Sequence, residues 1–314
     1  MPRFAMLFPG QGSQAVGMLA ALRERYPVVG ETFEEAGEAL GYDLAATITD
    51  GPAETLDRTD VTQPALLAAG VAVWRVWRDR DGPEPAVMAG HSLGEYTALT
   101  CAGAIDFGDA LRLVRLRGQA MQAAVGEGEG AMAAIIGLGD EAVQSVCQAA
   151  GAEGEQVTPA NYNAPGQVVV AGHRAAVERA MALAKEKGAK LVKQLAVSVP
   201  SHCPLMQPAV ERLQSHLTEV PLREPRMPVR HNVDGQPRPE LDGIRKALVA
   251  QLDSPVRWTE SVRAMAGDGA GIMLECGPGK VLSGLVKRID KNVEAIPLQD
   301  PEGIRRGLDA VAEE

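Results

Sequence analysis

The segment Gly90-His91-Ser92-Leu93-Gly94 sets a serine between glycines two positions away on either side. This G-x-S-x-G spacing lets a hydroxyl sit on a tight turn from strand to helix. A serine held there is a candidate nucleophile, and the following helix points its unpaired amides at any oxyanion that develops. In random order, 34 glycines and 9 serines in 314 residues would produce the spacing only about 0.1 times. Ser92 could otherwise be an ordinary helix N-cap.

A serine nucleophile needs a base, and the chain has five histidines, His91, His173, His202, His216 and His231. His91 adjoins the serine too closely to reach its hydroxyl, His173 opens a helix, and His216 sits on an amphipathic helix. His202, in Val199-Pro200-Ser201-His202-Cys203, follows an expected strand over 191–199 and precedes a helix, where a parallel sheet presents its active-site loops. A solvated histidine in a capping turn would look the same on this segment alone. His231, near the end of another expected strand, is the rival base.

Arg117 lies in the helical pattern from Phe107 to Ala124, with an apolar stripe of Phe107, Ala110, Leu111, Val114, Gly118 and Met121. At 100° per residue Arg117 falls about 40° from the centre of that stripe and Arg112 about 180° away. Arg112 is therefore solvated, whereas Arg117 points inward and needs an anion, either a structural partner or a substrate carboxylate. The run Gly10-Gln11-Gly12-Ser13-Gln14-Ala15 fits G-x-G-x-x-A, but Glu31, Glu34, Glu35 and Glu38 sit in a helical stretch, not at the end of a second strand, as a dinucleotide site requires. Its backbone donors could equally serve an oxyanion. Gly277-Pro278-Gly279-Lys280 is followed by Val281, not Ser or Thr, and reads as a tight turn instead of a phosphate loop.

The elements that must position these residues alternate. A strand over 3–8 leads into the glycine loop, and helical patterning follows to about residue 40. A helix over 64–78, a strand over 86–89 and a helix after Gly94 continue the α/β grammar of a mostly parallel sheet. After the polar Gly126-Glu127-Gly128-Glu129-Gly130 the order becomes strand 131–136, helix 140–150, strand 157–162, strand 167–171, helix 174–187 and strand 191–199. That is βαββαβ, the split unit of ferredoxin-like folds. The grammar then returns with helices over 204–217, 244–252 and 259–266, strands over 229–233 and 271–275, and a helix over 280–289. The expected organisation is a discontinuous large unit, 1–128 and 199–314, with an inserted small unit over 129–198.

Composition narrows the function classes. The chain is 46% hydrophobic, 23% charged and only 4% aromatic, which fits a globular protein with an aliphatic core. A net charge of −10 and a pI near 5.1 have the wrong sign for binding many phosphates, so nucleic acid is not an expected partner. No apolar run reaches the roughly 18 residues of a spanning helix, so no membrane association is expected and the cytoplasm is the expected location. Cys101, Cys147, Cys203 and Cys276 lack zinc-site spacing and are expected to pack as small buried hydrophobes.

Taken in order, Phe8-Pro9-Gly10-Gln11-Gly12-Ser13-Gln14, Gly90-His91-Ser92-Leu93-Gly94-Glu95, Arg117, Val199-Pro200-Ser201-His202 and Glu275-Cys276-Gly277-Pro278-Gly279 closely resemble the malonyl-CoA:acyl carrier protein transacylases of bacterial fatty-acid synthesis. Gln63-Pro64-Ala65 and Asn161-Tyr162-Asn163-Ala164-Pro165-Gly166 extend the resemblance over essentially the whole chain. It implies an α/β-hydrolase-like large subdomain with a ferredoxin-like insertion. It also implies malonyl transfer from malonyl-CoA to the carrier protein's phosphopantetheine thiol by a ping-pong cycle without a cofactor.

By the same resemblance Ser92 is acylated, His202 is its base, and the amides of Gln11 and Leu93 form the oxyanion hole. Arg117 holds the malonyl carboxylate, the carbonyl of Gln251 orients the histidine, and Met121, Asn161 and Ser201 belong to the pocket. His231 stands where the family carries a different polar residue. An acidic carrier protein would need a local basic patch on this acidic chain, and the candidates are Lys185, Lys187, Lys190 and Lys193 in the insertion and Lys280, Lys287 and Arg288 on a late helix. A monomer is expected. The competing functions are a polyketide-pathway acyltransferase, which shares the scaffold, and a serine thioesterase or hydrolase. A hydrolase expects an acid between serine and histidine in chain order, and Asp140 and Glu155 there both fall inside the insertion.

Overall fold

The protein, seen as a computed structural model, is described over residues 3–197 and 199–312. Residues 1, 2, 198, 313 and 314, which the expected units and the expected 191–199 strand include in part, lie outside the described residues.

The first strand, β1 (Phe4–Phe8), is apolar at every position and buried at every position. A strand covered on both faces requires that pattern, so β1 belongs in the middle of a parallel sheet. A loop then runs to the helices α1 (Ala20–Arg25), α2 (Pro27–Leu40), α3 (Leu44–Asp50), α4 (Ala53–Leu56) and α5 (Thr59–Asp79). β2 (Val87–Gly90), α6 (Gly94–Cys101) and α7 (Phe107–Ala124) complete the first half. The small unit follows as β3 (Gly130–Ile136), α8 (Asp140–Ala150), β4 (Val157–Ala164), β5 (Gln167–His173), α9 (Arg174–Glu186) and β6 (Leu191–Gln194). A short 3-10 turn (Pro204–Met206) precedes α10 (Gln207–Leu217), β7 (Val229–Arg230), α11 (Leu241–Ala250) and α12 (Trp258–Gly267). The chain closes with β8 (Ile272–Glu275), α13 (Val281–Ile289), β9 (Glu294–Pro297) and α14 (Pro301–Ala312).

Five strands form one parallel sheet in the order β7-β2-β1-β8-β9. Phe8 pairs with Gly90 and Leu7 with Glu275, so the loops leaving β1, β2 and β8 emerge side by side at the carboxyl edge. Ligand sites of open α/β sheets form at that edge. The other four strands form an antiparallel sheet in the order β4-β5-β3-β6. Numbered within the insertion this is 2-3-1-4, as the βαββαβ connection produces when its two helices cover one face. A separate apolar cluster fills the space between that sheet and α8 and α9, including Ile135, Val143, Val170 and Val177. The small sheet is tied to the segment between α11 and α12, where Tyr162 donates its amide to the Val256 carbonyl and Val256 donates its own to Ala160, both at 2.9 Å.

Several boundaries differ from the sequence expectation. The first helix begins at Ala20, because residues 9–19 are spent in loop and turn. α5 starts five residues before Pro64 and carries the proline inside it. Proline removes one hydrogen bond there, but a helix buried along nearly its whole length is held by packing more than by local propensity. The expected strand over 191–199 stops at Gln194, and β6 belongs to the antiparallel sheet, so His202 does not follow a strand of the parallel sheet. The strand near 229 is two residues long, and β9 and α14 were not foreseen. The four cysteines are buried and free.

Candidate active site

The turn after β2 explains its glycines by contact. Ser92 has φ 52°, in the left-handed region where an L-residue is strained. A Cβ at Gly90 would lie 1.8 Å from the Gly94 carbonyl carbon, and one at Gly94 would lie 2.1 Å from the Phe8 carbonyl oxygen. The spacing thus reflects backbone packed against backbone. Asn232 clamps the strained turn, taking the Ser92 amide on Oδ1 at 2.7 Å and donating Nδ2 to the Gly90 carbonyl at 2.6 Å. The serine side chain caps nothing, and Leu93 occupies the cap position of α6.

Ser92 Oγ lies 2.7 Å from His202 Nε2. His202 is buried, and its Nδ1 lies 2.7 Å from the backbone oxygen of Gln251. An Nδ1–H donating to that carbonyl leaves Nε2 as the acceptor facing the serine. Burial and the cation of Arg117 lower the His202 pKa to about 3, against the opposing hydrogen bond from Gln251. The ring is therefore neutral at physiological pH, as a general base must be. No acid takes the Nδ1 position. Glu155 pairs with Arg179 in the small unit instead. His231, the rival base, is buried away from Ser92 with its Nδ1 2.7 Å from Glu95 Oε1.

Arg117 is 1% exposed, as its position on the α7 stripe requires, while Arg112 pairs with Asp109 at the surface. Among the described residues no carboxylate meets Arg117. Its Nη1 donates to Gln63 Oε1 at 2.9 Å and its Nη2 to Gln251 Oε1 at 2.9 Å, with Ser92 Oγ at 3.4 Å. The guanidinium also lies over the Tyr96 ring at 5.3 Å. A buried cation held by neutral amides beside a nucleophile is arranged to receive an anion.

These groups open on one cavity of about 560 Å³, lined by Gln11, Leu93, Met121, Asn161 and Ser201 together with Ser92, His202 and Arg117. The amides of Gln11 and Leu93 meet no protein acceptor among the described residues. Met121 Sδ accepts a hydrogen bond from Gln63 Nε2 at 3.4 Å, and Asn161 sits where the β4 register shifts. His91 turns to Asn163 Oδ1 at 2.8 Å. Farther along the carboxyl edge, Glu275 accepts the amides of Leu282 and Ser283 at 2.9 and 2.7 Å, so the Glu275-to-Gly279 segment anchors α13. Among the described residues no group of three or more His, Cys, Asp or Glu could hold a metal ion, and no helix is long and apolar enough to cross a membrane.

Gln63, Glu95 and Asn232 were not singled out as functional residues from sequence. Their partners lie 54, 136 and 140 residues away, and amides leave no spacing signal. The only local hint is the Ser92-x-x-Glu95 pattern, which looks like a capping box but serves other loops here.

The acyl transferase domain family matches residues 5–301. The malonyl CoA-acyl carrier protein transacylase of Escherichia coli K12 is 55% identical over 309 residues, covering 98% of this chain and all of the relative. That of Haemophilus influenzae is 58% identical over 301 residues, 96% of each chain. Among solved structures, the Coxiella burnetii malonyl CoA-acyl carrier protein transacylase superposes with a TM-score of 0.98 at 51% identity, covering 99% of this chain and 98% of that one. A malonyl-transacylase solved in complex with a type II polyketide acyl-carrier protein gives 0.96 at 52%, covering 98% and 99%. With a buried serine–histidine pair and a buried arginine opening on one cavity, and with this likeness along its whole length, the chain belongs to the acyl transferase family, among the malonyl CoA-acyl carrier protein transacylases.

Proposed function

We propose that the protein transfers the malonyl group from malonyl-CoA to the phosphopantetheine thiol of acyl carrier protein through a malonyl-Ser92 intermediate, supplying extender units for fatty-acid synthesis. The observation that carries this reading is one oxygen with two neighbours: Ser92 Oγ has His202 Nε2 at 2.7 Å and Arg117 Nη2 at 3.4 Å. A nucleophile and its base sit where an acyl chain ending in a carboxylate would find a cation.

His202 takes the serine proton as Oγ attacks the thioester carbon, and the oxyanion is received by the amides of Gln11 and Leu93. The tetrahedral intermediate collapses, the C–S bond breaks, and the imidazolium returns its proton to the coenzyme A thiolate. The carrier thiol then gives its proton to His202 and attacks the malonyl ester; the C–O bond breaks and the imidazolium returns the proton to Ser92 Oγ, restoring the free hydroxyl and the neutral base. A thiolate is a good leaving group, so a carbonyl from Gln251 suffices where a triad would place an acid. The malonyl carboxylate forks onto Arg117 in place of a neutral partner. It also cancels part of the cationic field that lowers the His202 pKa, so the bound substrate strengthens its own base. Met121, Asn161 and Ser201 shape the pocket. The reaction needs no cofactor.

For the carrier protein, register supports a docking patch. Ile136 pairs with both Gln167 and Leu191, Lys190 donates its amide to Ile136, and Arg288 donates to Gln167. Lys190 and Arg288, from the two basic clusters, thus lie toward the same end of the small sheet, with Lys187 and Lys287 nearby in sequence. Met132 of the cavity lies four residues along β3 from Ile136, about 13 Å at strand rise, a span for an extended prosthetic arm. The division into 1–128 with 199–314 and an inserted 129–198, action as a monomer and a cytoplasmic setting belong to the same proposal.

Intact mass after mixing the protein with malonyl-CoA tests it. One malonyl adduct that needs Ser92 and moves to added acyl carrier protein is expected. No adduct, or one lost to water whether or not carrier is present, would point to a scaffold or a hydrolase.

A further inference from the structure

Glu95 lies one turn beyond Ser92 on α6 and is completely buried. Its Oε2 accepts the Asn232 amide at 2.9 Å and Gln251 Nε2 at 2.8 Å, while Oε1 lies 2.7 Å from His231 Nδ1. His231 Nε2 is buried without a partner among the described residues. A proton on that nitrogen would be a buried donor with no acceptor, so the ring carries its one proton on Nδ1 and the pair keeps the negative charge of Glu95.

The Gln251 side chain joins this carboxylate to the cation. Its Nε2 faces Glu95 and its Oε1 faces Arg117 Nη2, while its backbone oxygen holds His202. The direct partners of Arg117 are neutral, and Glu95 is among the groups that oppose the lowering of its pKa by burial. Arg238, which also feels Glu95, is paired with Asp234.

We propose that Glu95 is a positioning residue that sets the charge of the acyl pocket, balancing Arg117 through the Gln251 amide and so limiting how tightly a substrate carboxylate is held. The proposal rests on the malonyl reading of the pocket. A site that must release its acyl group to a second thiol gains from such a limit, because carboxylate binding alone does not speed transfer.

Binding measured by calorimetry in a Ser92→Ala background, where no acylation occurs, separates charge from shape. In the Glu95→Gln variant the new carbonyl can accept from Asn232 and Gln251, and the new amide faces His231, whose proton must then move to the unpartnered Nε2, a cost that falls on both thioesters alike and leaves their ratio to report the charge. The expected result is roughly tenfold tighter malonyl-CoA, the scale of one unit charge about 12 Å away, across the Gln251 amide and the Arg117 guanidinium, at an effective dielectric near 20, with acetyl-CoA unchanged. Equal weakening of both ligands, or no change in either, would overturn the proposal in favour of a structural role. Glu95→Asp, which keeps the charge and shortens the arm, is expected to preserve the malonyl-to-acetyl ratio even if affinity drops, and a changed ratio would likewise overturn it. A Ser92→Ala protein that binds the two thioesters alike would instead refute the malonyl reading itself, and the role of Glu95 with it.

Discussion

The chemistry of this site depends on two side chains whose charge states are set by burial. Arg117 stays a cation without a carboxylate partner, and His202 stays neutral because burial and that cation both disfavour its protonated form. Arg117→Ala is expected to lose malonyl preference and to gain relative activity on acetyl-CoA, since an uncharged acyl group leaves the cation unpaired. Unchanged selectivity in competition assays would remove Arg117 from this role. The same variant should alter the pH profile. In the native site no loss of base from His202 is expected between pH 8 and 5, whereas without the Arg117 field its pKa moves up from about 3 while burial, the larger cause, still holds it below the ordinary 6.5, so the acid limb of acetyl transfer should shift to higher pH. An acid limb in the same place for both proteins would contradict that field. Ser92, His202 and Arg117 were legible in sequence because a glycine-flanked serine, a rare residue type and an arginine on an apolar stripe are each unusual. Gln63 and Asn232 were not, since a neutral amide becomes distinctive only beside its partner.

At the scale of elements, the turn between β2 and α6 carries the most constraint. Gly90→Ala would force a Cβ to 1.8 Å from the Gly94 carbonyl carbon, and a loss on the order of 3 kcal/mol in stability together with loss of Ser92 acylation is expected. Gly284 is the control, since it sits on the exposed side of α13 with nothing within 4 Å of an added Cβ. There Gly→Ala should stabilise by about 0.5–1 kcal/mol. Denaturant melts of both variants check the contrast, and two equal responses would show that the elbow is less tightly packed than its contacts indicate. The βαββαβ order of the insertion was legible because alternation and turns are local. The end of β6 was not, because pairing with β3 decides where that edge strand stops: Leu191 to Gln194 are in register, and Leu195 gives a last amide to Met132. α5 likewise runs through Pro64 because its neighbours bury it.

At the scale of the whole molecule, the net charge of −10 would oppose an acidic carrier protein, and the proposed patch supplies the local positive potential that would offset it. Reversing Lys190 and Arg288 together is expected to raise KM for acyl carrier protein several-fold with little change for malonyl-CoA, and equal effects on both would sink the patch. What the sequence by itself determined is the kind of chain and its chemistry. Periodicity specified alternating strands and helices with an antiparallel insertion, and residue types offered a candidate nucleophile, two candidate bases and an inward cation, because these are properties of short segments. The tertiary structure alone decided which histidine meets the serine, since His202 and His231 both follow apolar segments and only the chain's path past Leu252 brings His202 Nε2 to 2.7 Å. It alone decided that Arg117 has amides and no acid beside it, and that Glu95 gathers loops from the far end of the chain. Those relations join residues from about fifty to 156 positions apart. Their energies come from burial and hydrogen-bond geometry, which do not exist until the sheet has folded.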